Sequence, residues 1–186
     1  MIIRAQRIDL VPLTPPFLRA ALDDDLAVAA RILGLSIPES LADLRDVCAL
    51  RLHQLEAEPA LQPWLLRAIA IRKTRMMIGH IGFHTAPGAE YLRSLVPGGV
   101  EFGFTVFSPF RRRGYAREAS RALMHWAHQN HGTTRFVLSI RPDNVPSQAL
   151  AASLRFVRIG SHIDEVDGPE DILEHRLSVD ALQNTE

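Results

Sequence analysis

The spacing of apolar residues changes several times along the chain, and the changes mark out its predicted elements. Ile3, Ile8, Leu10 and Val11 read as a first strand over residues 2–13, ended by Pro12. Thr14-Pro15-Pro16 is a helix-start signal, because proline is tolerated where the first helical N–H groups have no partner. Helices follow over 17–22 and 25–33, the second stopping at Gly34. Pro38-Glu39-Ser40 opens another over 41–56, with Leu41, Leu44, Val47, Cys48, Leu52 and Leu55 in a stripe, and Pro59 and Pro63 break it. From Trp64 the period shortens. Residues 64–71 read as a strand, 72–75 as a polar turn and 76–84 as its hairpin partner. Gly79 and Gly82 inside that partner predict close approach of another backbone or a ligand. Residues 86–99 form a loop.

The next stretch, Val100 to Asn130, organises the rest. Val100, Phe102, Phe104 and Val106 alternate with Glu101, Gly103, Thr105 and Phe107, the period of a strand. Ser108-Pro109 ends it, Arg111-Arg112-Arg113-Gly114-Tyr115-Ala116 makes a basic turn, and Ala116, Ala119, Leu123, Trp126 and Ala127 share one side of a helix. His131-Gly132 caps that helix. A strand over 135–141 ends at Pro142-Asp143-Asn144, and a short helix covers 147–154. Strands 156–163 and 172–179 form a last hairpin across an Asp-Gly turn. The prediction is one mixed α/β (α+β) domain over 1–180 with a tail at 181–186. Its twisted sheet is mostly antiparallel with flanking helices, and the strands at Val100 and Arg135 are parallel neighbours joined through a helix.

Composition narrows the functions. Across 186 residues the formal charge is zero, so the basic excess of a general nucleic-acid or membrane-surface binder is missing. A single cysteine, Cys48, excludes an intrachain disulfide and points to a reducing compartment. The start Met1-Ile2-Ile3-Arg4 lacks signal-peptide character, and no apolar run is long enough to span a bilayer. The expectation is a soluble, cytoplasmic protein.

A strand, a basic glycine turn and a helix N-terminus together make a place for an anion. The unpaired N–H groups of the first helical turn carry partial positive charge, and phosphate oxygens sit well there. Gly114 lets backbone and phosphate approach closely, and the arginines add donors. The Walker pattern and the dinucleotide Gly-x-Gly-x-x-Gly are both absent, which disfavours a generic nucleotide binder.

The basic turn, the preceding Glu101-Phe102-Gly103-Phe104, the following Arg117-Glu118-Ala119 and the downstream Asp143-Asn144-Val145-Pro146-Ser147 resemble, in that order, the GCN5-related N-acetyltransferase superfamily. Within it the chain looks like the bacterial ribosomal-protein and N-terminal acetyltransferases. The likeness covers roughly 64–179. It implies acetyl-CoA as cosubstrate, with the pyrophosphate at Arg111, Arg112, Arg113, Gly114, Tyr115 and Ala116. The pantetheine arm would lie along main-chain groups near Thr105, Val106 and Phe107, and Asn144 would bond to it. An amine attacks a thioester in this chemistry, so a base and an oxyanion donor are needed. Glu101 is the candidate base, Val106 or Phe107 N–H the oxyanion donor, and Ser147 the candidate acid. Two departures stand out: the family's acidic tyrosine is Ala151 here, and its Gly-Phe is Arg155-Phe156.

Each assignment has a plainer alternative. Glu101 could be a buried paired carboxylate, Asn144 a strand-end cap and Ser147 a helix cap. His80 and His84 read as satisfied sheet histidines. His125, His128 and His131 have helical spacing but no ligand pattern, so no metal is expected. Asp164, Glu165, Asp167, Glu170 and Asp171 read as a solvated turn, or as an attractor of a cationic amine. Two functions compete: an N-acetyltransferase acting on a primary amine of a small molecule or protein N-terminus, and a non-catalytic acyl-CoA sensor of the same fold. The partners expected are acetyl-CoA and an amine acceptor, with no nucleic acid and no membrane; a homodimer stays open.

Overall fold

The computed structural model describes residues 1–164 and 168–177. The chain divides into two compact units: Met1–Phe83 with Phe104–Leu123, and His84–Gly103 with the residues from Met124 on.

The first unit holds β1 (Ile3–Arg4), β2 (Ile8–Pro12), α1 (Pro15–Leu22), α2 (Leu26–Leu33), α3 (Arg45–Ala57), β3 (Arg67–Ile71) and β4 (Met76–Phe83). β2 lies antiparallel between β1 and β3, and β3 pairs antiparallel with β4. The expected strand over 2–13 is broken, because Ala5 N–H turns back to the Ile8 carbonyl at 2.9 Å. α1 starts at its two prolines and buries Phe17 and Leu18 completely. Asp25 caps α2 by accepting from Val28 N–H at 3.0 Å, and Gly34 ends it in the left-handed conformation, φ +67°. The helix expected over 41–56 is in fact a 3-10 turn, Glu39–Leu44, followed by α3. Cys48 is buried there, and burial pushes its thiol up to about 11.

β3 begins later than its apolar run suggests. Trp64 and Leu65 both donate N–H to Leu61, so the chain is still turning. Arg67 then enters the core at 1% exposure, donating to the Met1 carbonyl at 2.8 Å and the Pro63 carbonyl at 2.5 Å. Desolvation lowers its pKa to about 10. Gly79 and Gly82 are required by backbone, not by a ligand. A Cβ at Gly79 would collide with the Thr105 carbonyl, and one at Gly82 would stand 2.8 Å from the Leu65 carbonyl.

β5 (Val100–Val106) and α4 (Tyr115–His131) contribute residues to both units. The second unit adds β6 (Arg135–Ile140), α5 (Val145–Ser153), β7 (Val157–Asp164) and β8 (Gly168–Arg176). β5 pairs with β6 in parallel at Val100–Phe136 and Glu101–Val137, as expected. β8 lies antiparallel between β6 and β7. Leu92, Val96, Val137 and Ile172 form an apolar cluster of this unit. Buried Glu174 accepts from Arg135 Nε at 2.6 Å and Arg176 Nε at 2.9 Å. The tail expected at 181–186, the end of the last strand beyond Leu177, and Glu165 and Asp167 of the acidic turn lie outside the described residues. The described acids of that turn are engaged: Asp171 accepts from Arg158 Nε at 2.5 Å, and Glu170 stands 3.6 Å from His162.

Candidate functional site

The basic turn has the backbone that its composition predicts. After β5 a 3-10 turn, Ser108–Phe110, leads to Arg111 in an extended conformation. Arg112 then adopts φ +60° and Gly114 φ +79°. Left-handed residues in such turns gather backbone N–H groups into anion-binding concavities. α4 starts at Tyr115, and its first intrahelical bond runs from Glu118 N–H to Gly114 O at 3.1 Å. The N–H groups of Tyr115 and Ala116 therefore precede the bonded ladder, where the helix dipole is positive. Arg111, Arg112, Arg113 and Gly114 are exposed, while Tyr115 and Ala116 are half-buried. This loop fits a pyrophosphate in backbone conformation, charge and access.

An arginine with no sequence signal holds the loop. Arg7, in the turn between β1 and β2, donates its N–H to Glu118 Oε1 at 2.6 Å and its Nε to Oε2 at 2.7 Å. Its Nη1 donates to the Arg113 carbonyl at 3.0 Å, and the guanidinium lies 4.7 Å from the centroid of the Tyr115 ring. A Cβ on Gly114 would stand 3.4 Å from Arg7 Nη2. Glu118 is thus tied to Arg7, and the loop is clamped from behind.

β5 narrows the main-chain groups open to a ligand. In an antiparallel ladder alternate residues turn their N–H and C=O to the same neighbour. Phe107 N–H donates to Ile78 O at 2.8 Å, and His84 N–H donates to Glu101 O at 2.9 Å, so the odd-numbered residues of β5 face β4. Phe107 O also accepts from Phe110 N–H at 2.9 Å. Both polar main-chain groups of Phe107 are therefore engaged, which removes it as oxyanion donor, and Thr105 turns toward β4 with it. Val106 and Phe104 present their groups to the opposite edge, where Val106 O accepts from Arg111 Nε at 2.8 Å. Sequence spacing named the three residues together; of the three, Val106 alone turns its main-chain groups away from β4.

Glu101 is 6% exposed and lies at the centre of a polar cluster. Its Oε2 stands 3.7 Å from His84 Nδ1, an ion-pair contact longer than a hydrogen bond. Burial raises the carboxyl pKa, but His84, Ser139 and Tyr91 overcome it and hold the group at about 2. The sequence allowed a buried paired carboxylate here but gave no sign of His84, Tyr91 and Ser139 as its partners. His80 is buried, and among the described residues neither of its ring nitrogens has a partner. Burial and the charge of Arg51 lower its pKa to about 4, so it is a neutral core histidine and not a satisfied one.

Asn144 caps α5, its Oδ1 accepting from Ser147 N–H at 3.3 Å. The cap is therefore Asn144 and not Ser147, and α5 begins two residues earlier than the apolar pattern suggests. Ala151 is fully buried. Arg155 takes φ +63°, the conformation that glycine adopts freely, so the turn survives without one at a cost of roughly 1 kcal/mol. On α4, His128 Nδ1 donates to Thr133 O at 3.1 Å and the His131 ring stacks edge-on to Trp126 at 5.0 Å.

Known proteins share this fold. Residues 7–157 match the family model of the acetyltransferase (GNAT) domain. No curated protein matches the chain. Among solved structures it is similar to a Bordetella pertussis protein assigned to the GnaT-family acetyltransferases, with TM-score 0.67, 22% identity, and 94% of this chain and 99% of that one covered. It is also similar to a Vibrio cholerae protein assigned as a ribosomal-protein-serine acetyltransferase, with TM-score 0.65, 19% identity and coverage of 95% and 98%. A third is RimL, a ribosomal L7/L12 α-N-protein acetyltransferase solved with coenzyme A, with TM-score 0.63, 14% identity and coverage of 95% and 98%. At these identities the structures establish a shared fold. The family match covers most of the chain, which belongs to the GNAT acetyltransferase family and uses acetyl-CoA.

Proposed function

We propose, from membership of the GNAT acetyltransferase family, that this protein transfers the acetyl group of acetyl-CoA directly to a primary amine, on a protein N-terminus or a small molecule. The observation that carries the reading is the loop from Arg111 to Ala116, left-handed at Arg112 and Gly114 and opening onto the N-terminus of α4. Bound acetyl-CoA supplies an acetyl group activated as a thioester. The loop N–H groups and arginines hold the pyrophosphate, and the Val106 edge of β5 pairs with the pantetheine arm. The Val106 N–H donates to the carbonyl oxygen as negative charge develops on it. The amine proton is managed at the Glu101 cluster, and the Ser147 hydroxyl serves the departing sulfur. The family match runs through both units, which supports one domain over 1–180. Among the described residues no helix is long and apolar enough to cross a membrane, and a reducing cytoplasm agrees with the lone cysteine.

A second reading, an acyl-CoA sensor without turnover, draws on one observation. Ala151 is buried where the family's acidic tyrosine would stand, so that acid is missing. One experiment separates the two. Both readings expect acetyl-CoA to raise the melting temperature, and only the enzyme releases CoA thiol when amines are added. No stabilisation by acetyl-CoA at millimolar concentration removes both.

A further inference from the structure

The outer strand of the second unit has a surface that its neighbours do not explain. β7 is the edge of the order β6-β8-β7, and among the described residues β8 is its sole strand partner. An open edge presents main-chain donors and acceptors to water, a template for one more strand. Proteins blunt such edges with proline or lysine, and Val157–Asp164 contains neither. It carries β-branched apolar residues instead. Val157 is 66% exposed, Ile159 39% and Ile163 82%, the highest value for a large apolar side chain among the described residues. Single exposed apolar residues are ordinary, but three on one short open edge favour burial against a partner.

The order of residues along the strand says which partner. We propose that β7 is a self-association surface, where a second copy of this chain adds its own β7 antiparallel across a two-fold axis at Ser161. Outward from Ser161, Gly160 then stands opposite His162 of the second copy, Ile159 opposite Ile163 and Arg158 opposite Asp164. The two-fold repeats each pair, as a self-complementary interface requires. Glycine makes room for an imidazole, two isoleucines cover each other, and a guanidinium meets a carboxylate, all favourable across a strand pair. Shifting the axis by half a residue sets Arg158 against Ile163 or Ile159 against Asp164, so complementarity picks out one register.

Arg158 already donates Nε to Asp171 Oδ1 at 2.5 Å within its own chain, and its side chain remains 58% exposed. The guanidinium has further N–H donors for a second carboxylate. Ile159 is the residue skipped between the pairs Arg158–Leu173 and Gly160–Ile172. Such a bulge is also a means by which a lone edge shields itself. The test has to separate a shielded edge from a paired one.

The full chain is followed by sedimentation velocity with no ligand added. A two-strand seam lies at the small end of stable interfaces, so wild type should pass from monomer to dimer between about 1 and about 100 µM. Ile163→Lys should weaken the dimer by about tenfold or more, because a charge on the edge opposes pairing. The side chain it replaces is exposed, so the melting temperature of the dilute monomer should move by less than about 2 °C. Ser161→Cys reads the register. Residues directly opposite in an antiparallel pair have Cα atoms about 4.5–5.5 Å apart, within reach of a disulfide. With Cys48 buried, oxidised Ser161→Cys should migrate as a covalent dimer and Val157→Cys as a monomer. Wild type that stays monomeric at about 100 µM overturns the proposal. So does a dimer that Ile163→Lys leaves intact, or one in which Val157→Cys cross-links as readily as Ser161→Cys.

Discussion

The loop from Ser108 to Ala116 and the cluster around Glu101 are built in opposite ways, although the first follows β5 and the second draws on it. The loop is contiguous in sequence. Its function lies in main-chain conformation, its arginine side chains are exposed, and the requirement at Gly114 is the absence of a Cβ. The cluster draws on the residue after β4, the 86–99 loop, β5 and β6, and its function lies in side-chain identity and burial. The loop should therefore depend on its backbone more than on any single arginine side chain. The cluster should fail with single-atom changes that leave the backbone alone.

The sharpest way to break this contrast is Gly114→Glu, which places bulk and negative charge in the cradle and forces a left-handed glutamate. Acetyl-CoA affinity, measured by calorimetry, should fall ~100-fold or more, while stability drops by only about 1–2 kcal/mol. Affinity within a few-fold of wild type would refute the placement of the phosphate site.

Next comes Glu101→Gln, read as stability against pH. The folded carboxyl is held at about 2, below its ordinary value, so its stabilisation is present above the unfolded pKa and disappears as pH falls toward the folded one. At 1.36 kcal/mol per unit the effect reaches roughly 3 kcal/mol near neutrality. Acid titrations of the melting temperature should show wild type losing its advantage over the variant between about pH 5 and about pH 2. Curves that stay parallel through that window would mean the carboxylate is not held in its charged form.

Smaller effects test the clamp. Arg7→Ala should raise KM for acetyl-CoA about five- to tenfold with kcat unchanged. Its Glu118 ion pair is half-exposed and contributes below about 1 kcal/mol to stability. A changed kcat with an unchanged KM would move Arg7 out of the loop's support. Smallest is Asn144→Ala, which removes a helix cap for about 1 kcal/mol. KM should move by less than a factor of about two. A larger rise would put the amide nitrogen of Asn144 on the coenzyme.

The same contrast explains what could be read from sequence. The strand, turn and helix at 100–131 were legible because each is signalled by neighbours a few residues apart: alternation, Pro109, Gly114 and the alanine face. Boundaries were less so wherever distant contacts decide them. β3 starts at Arg67 because a buried guanidinium collects carbonyls from Met1 and Pro63, and no local pattern announces that. Which of Thr105, Val106 and Phe107 turn toward β4 could not be read until the Ile78 bond was known. Arg7 and Glu118 are separated by 111 residues, and His84, Tyr91 and Ser139 converge on Glu101 only through pairing and loop closure. Gly79 gave a correct signal of close approach, and the approaching group is the Thr105 backbone.

The burial of Cys48 has a chemical consequence. A protein that handles thioesters risks acyl exchange onto its own sulfur, and only thiolate is reactive enough to take part. The one cysteine of this chain is 2% exposed on α3, with its thiol pushed up to about 11. At neutral pH it is protonated and inaccessible, so the folded molecule offers no competing thiolate of its own. Any sulfhydryl that a colorimetric reagent detects in the native reaction mixture comes from the coenzyme, and the turnover count needs no correction for the protein.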